Sequence, residues 1–269
     1  MLITSPANPT IKRIRSLRQR KGRAETGLFY AEGIRIVAES VQAGAAVETL
    51  VVAPDLLESP FARGLVEEQR KIGTPVIEVT REVFRSLSDK DGPQGLAAVI
   101  RQRWDSPAIA SQVATRRFVA LSRVQDPGNL GTVLRTSDAA GFAGVILVGP
   151  TADPYDPVCV RASMGAIFSQ RLVRLTLEEF VAWKKRYGYM LVGTSGAAPT
   201  DYRAVRYREP VAIYMGSERE GLSPEEKALC DVMVSIPMVG RSDSLNLAVA
   251  AGLMLYEVFR QDDKTGPRF

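Results

Sequence analysis

The sequence of 269 residues contains no histidine and only two cysteines, Cys159 and Cys230. The lack of histidine excludes Ser-His-Asp triads, histidine general bases and histidine-ligated metals. The two cysteines fit neither a zinc spacing nor a disulfide framework. We therefore expect no metal site, and acid–base chemistry is left to carboxylates, lysine, arginine, tyrosine or the ligand itself.

Long apolar runs are also missing, and none approaches the ~20 residues that a membrane-spanning helix needs. The first residues, Met1 to Pro6, lack the charged and then apolar pattern of a signal peptide. Apolar residues make up 45% of the chain, which is enough to build a core. We expect a cytoplasmic protein without a membrane partner, made of one large or two modest domains.

Negative charge is missing from the first 24 residues, although the whole chain has a net charge of only +5. Seven basic residues precede the first acid, Glu25. They are Lys12, Arg13, Arg15, Arg18, Arg20, Lys21 and Arg23. A solvated helix face would explain such a cluster, but the mutual repulsion of seven like charges favours a polyanionic partner such as nucleic acid.

Two α/β patterns follow one another along the chain. Residues 1–104 predict a small α/β domain that begins with a basic helix at 8–21, and residues 105–116 lose apolar periodicity and are predicted as a linker. From 117 to 269, strands at 118–124, 144–148, 171–175, 189–194, 211–215 and 232–236 alternate with helices. These helices are predicted at 129–140, 156–168, 177–187, 224–230 and 245–260. The alternation indicates a parallel sheet, whose ligands bind outside the carboxyl ends of the strands.

Three loops of this second pattern hold polar residues that a core does not need. The first, after strand 118–124, contains Asn129, a suitable N-cap, and leads to Arg135 and to Gly141, a suitable helix end. A functional Asn129–Arg135 pair and an ordinary cap with a surface arginine remain equally open from these residues alone.

The second loop, Gly216 to Ser223, resembles the P-loop pattern G-x-x-x-x-G-K-[ST] but does not match it fully. Leu222 stands at the lysine position, and Glu218 and Glu220 would repel a triphosphate. A tight turn before a helix capped by Ser223 is the interpretation that the spacing favours.

The third loop, Ile236 to Asn246, joins a short strand to a long apolar helix. Ser244 is predicted as the N-cap of that helix. Asn246 has no such structural explanation, because asparagine is a mediocre helix former.

Taken together, the three loops resemble the three signature motifs of the SpoU-type (TrmH-like) RNA 2′-O-ribose methyltransferases of the SPOUT superfamily. Asn129-x-Gly131-x-x-x-Arg135 with Gly141 resembles the first motif, and Gly216-x-Glu218-x-x-Gly221-Leu222 the second. Ile236-Pro237-Met238 followed by Ser244-Leu245-Asn246 resembles the third. The segment Arg161 to Ala166 also resembles a recurrent family segment. At the N-terminus, Asn8-Pro9-x-Ile11-Lys12 and Gly27-x-Phe29-x-x-Glu32-Gly33-x-Arg35 resemble the family's substrate-binding domain.

The resemblance implies a SPOUT-type parallel-sheet domain with a trefoil knot and a smaller, L30e-like α/β domain that binds RNA. It implies S-adenosylmethionine as cofactor, a homodimer, and a catalytic set of Arg135, Asn129, Glu218, Ser244 and Asn246. The implied cofactor contacts are Thr194, Ser195, Gly196, Gly216, Ile236, Met238 and Leu245. Arg35 joins the seven N-terminal basic residues as an implied RNA contact.

The function implied is methyl transfer to a ribose 2′-OH, with ribosomal RNA as the expected target because of the added N-terminal domain. Such a transfer needs positioning more than covalent catalysis, so neither a metal nor histidine is required. Arg135 either gives up its proton and acts as a base or stays charged and stabilises a developing alkoxide. A tRNA 2′-O-methyltransferase, a non-catalytic RNA-binding protein on the same fold, and a nucleotide-dependent enzyme that uses the Gly216 loop are the alternatives.

Overall fold

This computed structural model describes residues 2–89 and 91–262. The strands among these residues form two separate sheets. Of these residues, those up to Arg103 together with Asp153–Phe168 form a first compact unit. Those of Trp104–Ala152 and those from Ser169 onwards form a second. No helix among the described residues is long and apolar enough to cross a membrane.

Among the described residues, the first part of the chain contributes five strands and five helices. In chain order they are β1 (Leu2–Ile3), α1 (Pro9–Ser16), α2 (Arg20–Thr26), β2 (Leu28–Glu32), α3 (Ile34–Gln42), β3 (Val47–Val52), α4 (Pro60–Lys71), β4 (Val76–Val79), α5 (Arg81–Leu87) and β5 (Leu96–Arg101). The strands form a mixed sheet in the order β1-β4-β3-β5-β2, in which β5 runs antiparallel to β2 and β3.

The second part, as far as residue 262, contributes seven strands and six α-helices. They are β6 (Arg117–Ser122), α6 (Pro127–Ala139), β7 (Gly144–Val148), α7 (Pro157–Ser163), α8 (Ala166–Ser169), β8 (Arg171–Leu175), α9 (Leu177–Tyr187), β9 (Met190–Thr194), β10 (Thr200–Asp201), β11 (Val211–Met215), α10 (Pro224–Ala228), β12 (Val232–Ser235) and α11 (Leu247–Asp262). A short 3-10 turn at Pro107–Ser111 buries Ala110 in the core of the second unit, within the segment predicted as a linker. The predicted domain division, 1–104, 105–116 and 117–269, stays a prediction.

The predicted basic helix at 8–21 is wrong in its length, because the helix breaks after Ser16. Asn8 caps its start, and the apolar stripe of Ile11, Ile14 and Leu17 is buried as expected. The side chain of Arg23 donates to the carbonyls of Leu17 and Arg18, which therefore do not continue the helical ladder. The chain restarts as α2 at Arg20.

The segment between β7 and β8 was expected to form one helix over 156–168 but forms two. Met164 ends α7 in the left-handed conformation at φ 52°, and Gly165 follows at φ 102°. A Cβ on Gly165 would lie 2.9 Å from Cγ of Glu39, so this turn also needs the close approach that glycine allows. Both Glu39 and this turn belong to the first unit.

The seven-stranded sheet of the second unit is parallel, as the alternating pattern predicted. Its order is β10-β12-β9-β11-β6-β7-β8. The chain proceeds from β6 to β7 and β8 on one side, then returns to build the other side from β9 to β12. The strand order therefore reverses beside β6, whose neighbours are β7 and β11. Such a switch point opens a crevice at the carboxyl ends of the strands. Strand order does not test the predicted knot, which stays a prediction.

Candidate active site

Helix α6 begins at Pro127, two residues before the predicted start at 129. The prediction of Asn129 as the N-cap of this helix is wrong. The side chain of Asp126, not that of Asn129, accepts from the backbone amides at the helix start, those of Gly128 and Asn129, at 2.6 and 3.1 Å. Pro127 takes the first helical position, where a missing N–H costs nothing. Because Asp126 performs the capping, the amide group of Asn129 is available for contacts outside its own helix.

The second loop is held closed by its glycines. A Cβ on Gly216 would lie 2.0 Å from the carbonyl carbon of Gly221, so only glycine fits there. Glu218, at the exposed tip, accepts from the backbone amides of Gln125 and Asp126 at 3.3 and 3.4 Å. The glycines therefore let the two ends of the second loop approach each other closely. The carboxylate of Glu218 links the second loop to the first.

The third loop corrects the prediction for Ser244, which does not cap the long helix. Helix α11 begins at Leu247, and the side chain of Asn246 accepts from the amides of Ala248 and Val249 at 2.9 and 3.4 Å. The hydroxyl of Ser244 instead donates to Oδ1 of Asp243 at 3.1 Å. Asparagine is among the best residues for an N-cap, which gives Asn246 the structural role that the sequence left unexplained.

One chain of hydrogen bonds joins the three loops. Nδ2 of Asn246 donates to Oδ1 of Asn129 at 3.0 Å, and Nδ2 of Asn129 donates to Oε1 of Glu218 at 3.2 Å. In both asparagines the side-chain oxygen accepts a hydrogen bond and the side-chain nitrogen donates one. The carboxylate of Glu218 is the last acceptor in the chain. Residues 129, 218 and 246 are brought together, as the motif resemblance implied.

A cavity of about 960 Å³ opens beside this chain of hydrogen bonds. All the predicted cofactor contacts line it, and so do four of the five predicted catalytic residues. These lining residues are Thr194, Ser195, Gly196, Gly216, Ile236, Met238 and Leu245 from the first set and Asn129, Glu218, Ser244 and Asn246 from the second. Its size suits a ligand as large as a nucleoside derivative, and its walls combine backbone, apolar and a few polar groups.

Arg135, the fifth predicted catalytic residue, lies outside the cavity wall. The predicted stripe of Leu130, Val133, Leu134 and Ser137 is buried, and Arg135 is exposed on the other side of the helix, the position that the sequence had left open. Six residues separate it from Asn129, which corresponds to ~9 Å along the helix axis.

A buried carboxylate beneath the loops was not anticipated as part of the site. Glu226, 1% exposed, accepts from the hydroxyls of Ser122 and Tyr214, from the Ser223 amide, and from both terminal nitrogens of Arg123. Burial alone would raise the pKa of Glu226, but these hydrogen bonds outweigh it and lower the pKa to about 2. The carboxylate is therefore ionised at neutral pH. The spacing Ser223-x-x-Glu226, a capping box, was the signal in the sequence.

The predicted RNA contacts fall into four groups in the first unit. Arg23 is 1% exposed and pairs with Asp153 at 2.7 Å and Asp156 at 3.3 Å, so its prediction as an RNA contact is wrong. Four others already have acidic partners at the surface: Arg13 with Glu48, Arg18 with Asp89, Lys21 with Glu25 and Arg35 with Glu39. Arg15 donates to Ser86. Lys12 and Arg20 are exposed and make no ion pair within the described residues.

Comparison with known families accounts for both units. Residues 116–256 match the SpoU rRNA Methylase family, and residues 8–98 match the MRM3-like substrate binding domain. The chain belongs to the SpoU rRNA methylase family. The resemblance inferred from the three motifs is thereby confirmed.

Relatives extend over nearly the whole chain. A 23S rRNA (uridine(2479)-2′-O)-methyltransferase of Streptomyces viridochromogenes is 33% identical over 91% of this chain and 87% of its own. A 23S rRNA (guanosine(2553)-2′-O)-methyltransferase of Bacillus subtilis is 28% identical over 95% and 98%. Among solved structures, an AdoMet-bound rRNA methyltransferase from Sinorhizobium meliloti superposes with a TM-score of 0.88 at 38% identity, covering 97% of each chain.

The corrected cap can be tested by two single substitutions. Asn246→Ala should lower the free energy of unfolding by about 1 kcal/mol, because two amides at the start of α11 lose their acceptor. Ser244→Ala should change it by less than about 0.5 kcal/mol, as expected for an exposed residue outside the helix. Urea denaturation of both variants measures the difference, and an equal or reversed order would contradict the assignment of Asn246 as the cap.

Proposed function

We propose that this chain transfers a methyl group from S-adenosylmethionine to a ribose 2′-OH of ribosomal RNA. The observation that carries this proposal is the chain of hydrogen bonds from Asn246 through Asn129 to Glu218 at the rim of the cavity. Three motifs that are far apart in sequence meet there. Family membership and relatives named as 23S rRNA 2′-O-methyltransferases support the same activity.

The cavity fits the proposed cofactor. Thr194, Gly216 and Gly221 offer backbone groups, while Ile236 and Leu222 offer apolar walls. The Streptomyces viridochromogenes methyltransferase AviRb was solved in complex with AdoMet, and it covers 96% of this chain at 32% identity with a TM-score of 0.86. When bound, S-adenosylmethionine supplies a methyl group already activated by a positive sulfur. The residues of the chain then need to position the acceptor and exclude water.

The remaining polar residues have roles on the acceptor side. Asn129 and Glu218 orient the ribose at the rim, with Asn246 fixing the amide of Asn129 and Ser244 beside them. Arg135 lies away from any acidic partner among the described residues, and we assign it the charged role. It stabilises the negative charge that develops on the 2′-oxygen, or it binds an adjacent phosphate. The proton of the 2′-OH leaves to solvent. The 2′-OH itself restricts the reaction to RNA, since DNA lacks the atom that receives the methyl group.

Replacing Arg135 separates chemistry from cofactor binding. Arg135→Ala should lower kcat for methyl transfer to ribosomal RNA by about a hundredfold or more, the usual cost of losing one stabilising charge. Its affinity for S-adenosylmethionine, measured by calorimetry, should stay within about twofold of wild type because Arg135 does not line the cavity.

Thr132→Ala, on the same exposed face one turn earlier, is the matched control and should keep its kcat. Wild-type protein that binds no S-adenosylmethionine would overturn the proposed function as a whole. Methylation of transfer RNA instead of ribosomal RNA would favour the alternative substrate.

A homodimer, a cytoplasmic location beside the ribosomal substrate and the trefoil knot belong to the same proposal. Support for the homodimer comes from α11, which exposes a large apolar stripe. Val249, Leu253, Tyr256 and Phe259 follow one another at intervals of three or four residues and are 39–53% exposed. Helix α11 packs against α6, which bears Arg135, so a second copy seated on this stripe would lie next to the proposed catalytic arginine.

The dimer can be tested by placing a charge in the stripe. Leu253→Asp should shift the protein from dimer to monomer, because a carboxylate buried between two copies would be unpaired. Light scattering coupled to gel filtration measures the mass. Phe61→Asp, at a more exposed apolar position on α4, is the control and should leave the mass unchanged. A monomeric wild type, or a dimeric Leu253→Asp, would count against this interface.

RNA binding by the N-terminal unit depends on its unpaired cations. Lys12→Ala with Arg20→Ala should weaken binding to ribosomal RNA and reduce the slope of log K against log salt by about 1.5, since two fewer counterions are released. Arg23 stays in place to preserve the fold. The control, Lys185→Ala with Arg186→Ala on α9, removes the same charge elsewhere. Equal effects of the two double variants would contradict a specific basic surface.

A further inference from the structure

The carboxylate of Glu226 lies at the junction of two loops that line the cavity. Ser122 and Arg123, two of its donors, lie just before the first loop, and Tyr214, a third, is the penultimate residue of the strand that leads to Gly216. Ser223, which donates its amide, closes the second loop. One side chain therefore gathers donors from β6, β11 and the start of α10.

Arg123 connects this junction to the cavity wall. Its guanidinium makes a bidentate contact with Glu226, at 3.1 Å from Nη1 and 2.9 Å from Nη2, and Nη2 also donates to the carbonyl of Gly221 at 3.5 Å. Both Arg123 and Gly221 line the cavity. A bidentate arginine–carboxylate pair is directional as well as strong, so it fixes the position of the loop and not only its charge.

The backbone of Arg123 adopts an unfavourable conformation where it makes these contacts. Its φ of 52° lies in the left-handed region, which a residue with a long side chain rarely adopts. Such a conformation persists only where the surroundings determine it, and it tends to occur at ligand sites. Here the ion pair with Glu226 holds the side chain, and the turn directs the chain from β6 into the loop that contains Asn129.

Two carboxylates thus join the first and second loops at different depths. Glu218 joins them at the exposed rim through Gln125, Asp126 and Asn129, next to the acceptor side. Glu226 joins them where it is buried, through Arg123 before the first loop and Ser223 at the end of the second. Gly216 and Leu222 of the second loop line the cavity, and we place the cofactor against them. We infer that Glu226 is a positioning residue that sets the affinity for S-adenosylmethionine by holding the Gly216–Leu222 loop against Arg123.

This inference rests on the proposed function, since it assumes the same cofactor. Glu226→Gln keeps the size of the side chain and removes its charge, so Arg123 loses its partner. The dissociation constant for S-adenosylmethionine should rise about tenfold, the effect of one charge-assisted hydrogen bond. The kcat at saturating cofactor and RNA should change less than about threefold, because neither Glu226 nor Arg123 contacts the acceptor in this assignment.

Glu225→Gln is the matched control. It makes the same chemical change one position earlier, on the exposed side of the first turn of α10. Its cofactor affinity should equal that of wild type. A merely structural carboxylate at 226 would lower the melting temperature and leave the affinity of the folded protein unchanged. Calorimetry well below the melting temperature distinguishes these two cases.

Tyr214→Phe keeps the test decisive if Glu226→Gln does not fold. It removes one hydroxyl donor to Glu226 and retains the ring, and it should weaken cofactor binding about threefold, since one neutral partner is lost. Wild-type binding with unchanged affinity in the folded variants would overturn the role of Glu226 and leave the proposed function standing. No binding by wild type would instead overturn the proposed function.

Discussion

The site depends on the parallel pairing of β6 with β11 at the point where the strand order reverses. Leu121 pairs with Met215 at the ends of these strands, so the first and second loops leave the sheet side by side. On the other side of β11, β9 pairs with β12, and this brings Thr194 next to the strand that leads to Ile236. Four adjacent strands therefore deliver every loop of the cavity to one edge of the sheet. Asn129 and Asn246 are 117 positions apart in sequence, and this strand order brings their side-chain amides together.

At this edge of the sheet, the side chains of Asn246 and Glu226 each cap a helix and also bind a second side chain. Asn246 caps α11 with its oxygen and contacts Asn129 with its nitrogen. Glu226 closes the capping box of α10 and also receives Arg123. A helix start is a natural place for such double use, because its free amides already require an acceptor. Helix termini at the carboxyl edge of the sheet thus couple the stability of the second unit to the shape of its cavity. Substitutions at these positions will combine both effects unless folding and ligand affinity are measured separately.

Much of this arrangement could be predicted from the sequence, and the failures share a cause. The alternation of apolar and polar segments predicted all six long strands of the second unit, and the family resemblance predicted eleven of the residues that line the cavity. Which side chain caps a helix could not be predicted, because Asp126 competes with Asn129, and Asn246 with Ser244, within a few positions of each other. The burial of Arg23 was hidden as well, since its partners Asp153 and Asp156 lie 130 and 133 positions away. Local propensity identifies candidates for a role, and only tertiary contacts choose between them.

The position of Arg135 favours one of its two candidate roles. A base must come within hydrogen-bond reach of the proton that it removes, yet Arg135 is exposed, outside the cavity wall, and ~9 Å along α6 from Asn129. At ~9 Å from Asn129, the long side chain of Arg135 suits an RNA strand that extends along α6. The ribose would then lie at Asn129 and a backbone phosphate near the outer face of the helix. Arginine matches phosphate oxygens with two parallel hydrogen bonds and stays charged while it does so. In a chain without histidine, charge stabilisation by a fixed cation needs no group that titrates near neutral pH. We therefore propose that Arg135 acts as a phosphate clamp at the outer face of α6, next to the surface on which the second copy is proposed to sit.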